Sequence, residues 1–147
     1  MRMRDDTSGA TGAEQMYTAK RLMGMAIESK ANRNYQLSNA LRLRAMRFNF
    51  SAARTLRRSG EPLYLEALWR GAEIAFEFGR FSTVRRAYLA AQRAGLDDRT
   101  EGWADRFRQI HARSLATAEE FARLASASLH PMQQSSPSNF TGQYRET

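Results

Sequence analysis

Few side chains in this sequence could do chemistry. His111 and His130 are its two histidines. An imidazole acting as base or metal ligand needs a partner one helical turn away, or converging from elsewhere. Around His111 stand Phe107, Ser114 and Leu115, so a structural or surface histidine is expected. His130 falls in a stretch rich in Pro, Ser and Gln. Glu73 and Glu77 are one turn apart, but no Glu-x-x-His pattern accompanies them, as a helical di-metal site would require. An ordinary solvated face is expected there. Cysteine is absent, which excludes thiol catalysis, zinc–thiolate sites and a disulfide framework. No glycine-rich phosphate loop or serine elbow is found. No enzyme, cofactor or metal site is therefore expected.

The strongest chemical signal is charge. Of 23 basic and 15 acidic residues, the window Ser29–Gly60 holds Lys30, Arg33, Arg42, Arg44, Arg47, Arg54, Arg57 and Arg58, and no acid. The remaining basic residues equal the acids, so the net charge of +8 resides in that window. On a helix, Arg44, Arg47, Arg54 and Arg58 share an arc of about 80°. Such a face would neutralise phosphates in a salt-dependent way, or meet an acidic protein, or be solvated. Base stacking needs exposed aromatics beside it, and Phe48 and Phe50 read as packed.

The elements that carry these residues are helical throughout. Residues 1–12 are polar and read as a disordered N-terminus. The first helix is expected over Ala13–Lys30, with Met16, Ala19, Met23, Ala26 and Ile27 as its apolar stripe. Asn32-Arg33-Asn34 breaks it. The second runs Tyr35–Arg58 on a main stripe of Leu37, Leu41, Ala45, Phe48, Ala52 and Leu56, with Leu43, Met46, Phe50 and Ala53 as a weaker second one. Ser59-Gly60-Glu61-Pro62 is a stop and restart. Leu65–Phe78 is apolar or small on most sides, apart from a strip of Glu66, Arg70, Glu73 and Glu77. Gly71, Ala75 and Gly79 stack at four-residue spacing for a close helix approach, and Gly79 ends the helix in the left-handed region. A further helix ends near Gly95. Asp98 and Glu101 have capping-box spacing ahead of a last helix over Arg99–Ser128. Its single stripe is Trp103, Phe107, Ile110, Phe121, Leu124 and Ala125. Residues 129–147 read as a flexible tail. No secretory signal or membrane-length apolar run is found, and a cytoplasmic location is expected.

Ala72, Gly79-Arg80-Phe81, Tyr88 and Ala91, with Leu68 before them, resemble a tetratricopeptide repeat. Departures stand at Ala75, Gly71, Val84 and Leu96, where that family has a large aromatic, leucine, a small residue and proline. Leu22, Ala26, Tyr35, Ser38 and Ala45 repeat the spacing upstream. Tyr35 and Phe81 are 46 residues apart, against about 34 in the family, so the first unit's second helix should run about three turns too long. The resemblance implies an all-α fragment of a right-handed solenoid. It would have about five helices in antiparallel hairpins, closed by a capping helix with a polar outer side.

In that family the first helices of successive units line a groove. The resemblance places Lys20, Met23, Ile27, Lys30, Glu66, Trp69, Glu73 and Phe76 there. Trp69 is either its anchor or a core residue. The lysine and asparagine set that grips a C-terminal carboxylate is missing. The leading expectation is a non-enzymatic adaptor that binds a segment of a protein partner, acidic if it meets the arginines, or a second copy of itself. The alternative is a nucleic-acid or ribonucleoprotein accessory factor using the basic face. A weaker third is a trafficking-type three-helix module over residues 14–58, which would recognise amphipathic helices. No membrane association is expected.

One outcome follows from charge alone. Generic RNA should bind the wild type weakly, and any binding should fall steeply in a salt titration. Replacing Arg44, Arg47, Arg54 and Arg58 by glutamine should leave thermal stability nearly unchanged, at about 0.5 kcal/mol or less per site.

Overall fold

The computed structural model describes residues 11–59, 63–95 and 101–134. Five helices and no strand lie among the described residues: α1 (Gly12–Ala31), α2 (Tyr35–Ser59), α3 (Tyr64–Glu77), α4 (Phe81–Arg93) and α5 (Glu101–Gln134). The protein is all-α, built of helical hairpins. The expectations for residues 1–10, the restart at Gly60-Glu61-Pro62, the Asp98 cap and residues 135–147 lie outside the described residues.

Local chemistry sets the helix ends. Thr11 and Glu14 close a reciprocal capping box: Glu14 N–H donates to Thr11 Oγ1 at 3.0 Å and Thr11 N–H to Glu14 Oε1 at 2.8 Å. Asn34 Oδ1 accepts from Leu37 N–H at 3.2 Å and starts α2. Three helices end alike, each with a left-handed residue just past its cap. It is Arg33 (φ 64°) after α1, Gly79 (φ 71°) after α3 and Gly95 (φ 82°) after α4. After α1, Asn34 N–H reaches Ser29 O and Arg33 N–H reaches Lys30 O; after α3, Arg80 N–H reaches Ala75 O and Gly79 N–H reaches Phe76 O. These are Schellman closures. The first places an arginine where the other two place glycine. The break expected there falls at the right residues, but the asparagines leave the strained position to Arg33.

Antiparallel pairing follows from which residues meet. Ser38 Oγ donates to Ala26 O at 2.8 Å and Gln15 Nε2 to Ser51 Oγ at 3.1 Å, so α1 and α2 run oppositely. Arg42 pairs with Glu77, and Phe50 lies across Gly71, where a Cβ would stand 2.7 Å from the ring. Hence α3 runs against α2 and in the same sense as α1. After the turn, Phe81 packs on Phe76 with ring centroids 6.3 Å apart. Of the five residue pairs at the 46-residue offset, Leu22, Ala26, Ser38 and Ala45 are buried, as are Leu68, Ala72, Val84 and Ala91, while Tyr35 is exposed and Phe81 half-buried. α2 has 25 residues and α4 has 13.

Several stripes differ from expectation. On α1 the buried set is Gln15, Ala19, Leu22 and Ala26, while Ile27 is exposed. The stripe is turned because Gln15 is held inside by Ser51. Leu37 is exposed, whereas Met46 and Ala53 of the weaker second stripe are buried, as expected. Gly71 is a close-approach residue, but Gly79 is not. A Cβ there would meet nothing within 4 Å, and its glycine is required by φ alone.

The chain divides into two units, Met1–Ser114 and Leu115–Thr147. In the first, Phe107, Ile110 and Ser114 of α5 are buried. In the second, every residue from 119 to 128 is exposed, Phe121 and Leu124 included. The expected stripe is therefore covered only as far as Ser114. The helix also continues past Ser128 to Gln134, where the composition suggested a tail.

The Schellman positions generate a paired prediction. Gly79→Val should destabilise by on the order of 1–2 kcal/mol through left-handed strain. Arg33→Gly should stabilise by about 0.5 kcal/mol, the relief of that strain less glycine's larger entropy when unfolded. Thermal melts of the two variants should move in opposite directions.

Candidate functional site

A cleft of about 380 Å³ opens between α1 and α3, over α2. The helix periods explain its lining. Met16, Lys20 and Met23 recur on one side of α1, and Glu66, Arg70, Glu73 and Ile74 on the facing side of α3. Asn49 of α2 closes the floor. It is 3% exposed, and its Oδ1 accepts no hydrogen bond from the described residues. A buried acceptor left without a donor costs on the order of 1–3 kcal/mol, a cost that any donor reaching Asn49 Oδ1 would relieve. Glu66 is paired to Arg70 at 2.9 Å.

Four of the eight residues assigned to the groove, Lys20, Met23, Glu66 and Glu73, line this cleft. Ile27 and Lys30 are exposed farther along α1 and are not among its lining residues. Trp69 and Phe76 turn toward α5. Trp69 packs on Trp103 with centroids 6.0 Å apart, and the Arg106 guanidinium lies over both rings, at 5.2 and 4.6 Å. Arg113 lies 4.8 Å over Phe76. Such stacks are worth about 0.5–2 kcal/mol each, depending on desolvation. Trp69 is thus a half-buried packing residue, with an arginine already on its face. Its Nε1–H finds no acceptor among the described residues.

Glu73 does not sit on an ordinary solvated face. Burial pushes its pKa above the usual carboxylate value; Arg70 pulls it back, Glu77 pushes it up again, and Arg106 and Arg113 pull it down. Burial wins, so Glu73 holds its proton more tightly in the folded protein than a free glutamate does. Its neighbour Glu77 reaches back to Arg42 of α2.

His111 stacks on Tyr88, centroids 4.2 Å apart and planes 10° from parallel, and its Nε2 is buried without a hydrogen-bond partner. It packs α5 on α4, which is a structural role. Among the described residues, no three of His, Asp and Glu are grouped to hold a metal ion.

The four arginines of the basic face are all exposed on α2. Sequence periodicity left out two further arginines that the packing brings in. Arg54 and Arg57 of α2 flank a groove of about 310 Å³ with Arg86 of α4, over Leu68, Ala87 and Ala90. Arg57 is outside the 80° arc, and Arg86 is in another helix. Only their spacing from apolar residues, three or four positions away, hinted at a shared edge. Phe50, expected to be packed away, is half-buried and lines this groove.

No helix among the described residues is long and apolar enough to cross a membrane. No protein-family model, curated protein or solved structure matches the chain.

The Glu73 environment has a signed consequence. A carboxyl whose folded pKa is raised binds its proton more tightly in the native state. Stability therefore falls as pH rises from the ordinary carboxylate value through the raised one. Glu73→Gln, which mimics the protonated form, should match the wild type below that range and melt higher above it. Thermal melts of both proteins across acidic to neutral pH check this.

Proposed function

We propose that the protein is a non-enzymatic helical adaptor, similar to a tetratricopeptide-repeat fragment, that holds a segment of a partner protein between α1 and α3. The single observation that carries this is the cleft itself. It is open, it lies between the parallel first helices of two successive hairpins, and its apolar walls meet an unpartnered buried acceptor, Asn49 Oδ1. A peptide suits all three features. Its side chain packs against Met16, Met23 and Ile74, a backbone N–H donates to Asn49, and Lys20 and Arg70 stand near its carbonyls. The cytoplasm, a reducing compartment, is the location this reading carries with it.

A nucleic-acid accessory role is the second reading, supported by the exposed arginines of α2. Affinity capture from native lysate, with and without nuclease, separates the two. On the adaptor reading a protein partner survives nuclease and is lost with Met23→Glu, a variant whose fold is checked by circular dichroism. A partner set that disappears on nuclease treatment, and is indifferent to Met23→Glu, overturns it in favour of the second.

A further inference from the structure

The groove on the other side of the first unit is chemically unlike the α1–α3 cleft. Its floor is apolar, formed by Leu68, Ala87 and Ala90 with the half-buried Phe50, and three guanidinium groups stand around it: Arg54, Arg57 and Arg86. Among the described residues, no acidic one lines it. Among the described residues, no carboxylate pairs with any of the three arginines; Arg86 donates only to Thr83, at 3.3 Å, on its own helix. Four other arginines of the same unit are engaged, Arg42 by Glu77, Arg70 by Glu66, and Arg106 and Arg113 by aromatic faces. Here three arginines with no carboxylate partner among the described residues border one apolar depression.

We propose that this groove is a docking site for an acidic amphipathic segment of a partner protein, one that seats an apolar side chain between Arg54, Arg57 and Arg86 and sets carboxylates against them. Charge complementarity names the acid. A guanidinium offers a planar fork of donors that matches a carboxylate in two parallel bonds. The apolar floor names the rest of the segment. At about 310 Å³ the groove is at the small end of ligand sites, room for a large apolar side chain but little more. A nucleic-acid strand is the poorer fit. Its bases need free aromatic faces to stack on, whereas Tyr64 is 8% exposed and Phe50 is pressed against Gly71, where even a Cβ would stand 2.7 Å from the ring. The site is separate from the α1–α3 cleft and does not depend on that cleft being occupied.

The test uses the full chain and a fluorescent peptide carrying a pair of leucines between blocks of glutamate. Two comparison probes are an all-glutamate peptide of equal charge and a single-stranded oligonucleotide of equal charge. The expected result is salt-sensitive binding of the leucine peptide, with the all-glutamate peptide roughly tenfold weaker or more. Arg54→Gln, Arg57→Gln and Arg86→Gln should each weaken it by roughly tenfold, and their combination should abolish it. All three side chains are exposed, so the fold should survive, as circular dichroism would show. Ala90→Trp, which fills the groove and keeps the arginines, should also block the peptide. Met23→Glu, in the other cleft, should leave binding unchanged, so a failure of the adaptor reading and a failure of this one are distinguishable. No binding of the leucine peptide, equal binding of the all-glutamate peptide, or persistence in the triple variant would overturn the proposal. Tighter binding of the oligonucleotide than of either peptide would overturn it in favour of nucleic acid.

Discussion

The helices of the first unit approach one another on alanine. Ala26, Ala45, Ala52, Ala67, Ala72, Ala75 and Ala91 are all 0% exposed, and the rest of the arrangement depends on that constraint. A methyl group at an interhelix contact sets a short separation. Larger side chains must then leave the crossing and pack beside it, where Leu22, Leu41, Leu56 and Leu68 are found buried. The same short separation leaves Gly71 no room for a Cβ, because the Phe50 ring already lies on it. A core of small residues is also sensitive to volume: an added methylene has nowhere to go without moving a helix.

Alanine contacts fix distance but not register, since one alanine packs much like another. Polar groups supply the register. Ser38 donates to the Ala26 carbonyl, and Gln15 reaches across to Ser51. Each bond is satisfied at one axial offset, and a slip would leave a buried donor or acceptor open. Between α3 and α4 the fully buried Val84 offers no such bond.

Arginine is put to two physically different uses. On α5, Arg106 and Arg113 lie flat on aromatic rings, binding α5 to α3 through the ring faces while the charge stays near water. On the α2–α4 side the guanidinium groups of Arg54, Arg57 and Arg86 border an apolar groove without acidic partners among the described residues. The first use completes a fold. The second leaves positive charge at the surface beside an apolar seat, the combination that recognises an anionic amphipathic ligand. The acids of the α3 strip are spent similarly within the fold, Glu66 on Arg70 and Glu77 on Arg42.

Helix identity and order were set by sequence alone. Periodicity placed all five helices, the break at Asn32–Asn34 and the left-handed Gly79, because these depend on neighbours within a turn or two. The greater length of α2 than of α4 was legible too, from the distance between the Asn32–Asn34 break and the stop at Ser59. Tertiary structure decided which faces meet. Periodicity marks an apolar arc without saying which part of it is covered, so Ile27 and Leu37 read as core yet stand in water. Gln15 lies outside the apolar stripe yet is buried, beside its partner Ser51 in another helix. For the same reason the residues assigned to one groove divide between two places. Met23 and Glu73 line the α1–α3 cleft, while α5 draws Trp69 and Phe76 to itself. The arginine groove was out of reach of any single-helix reading, since two of its arginines come from α2 and the third from α4. Packing alone put them around one apolar floor.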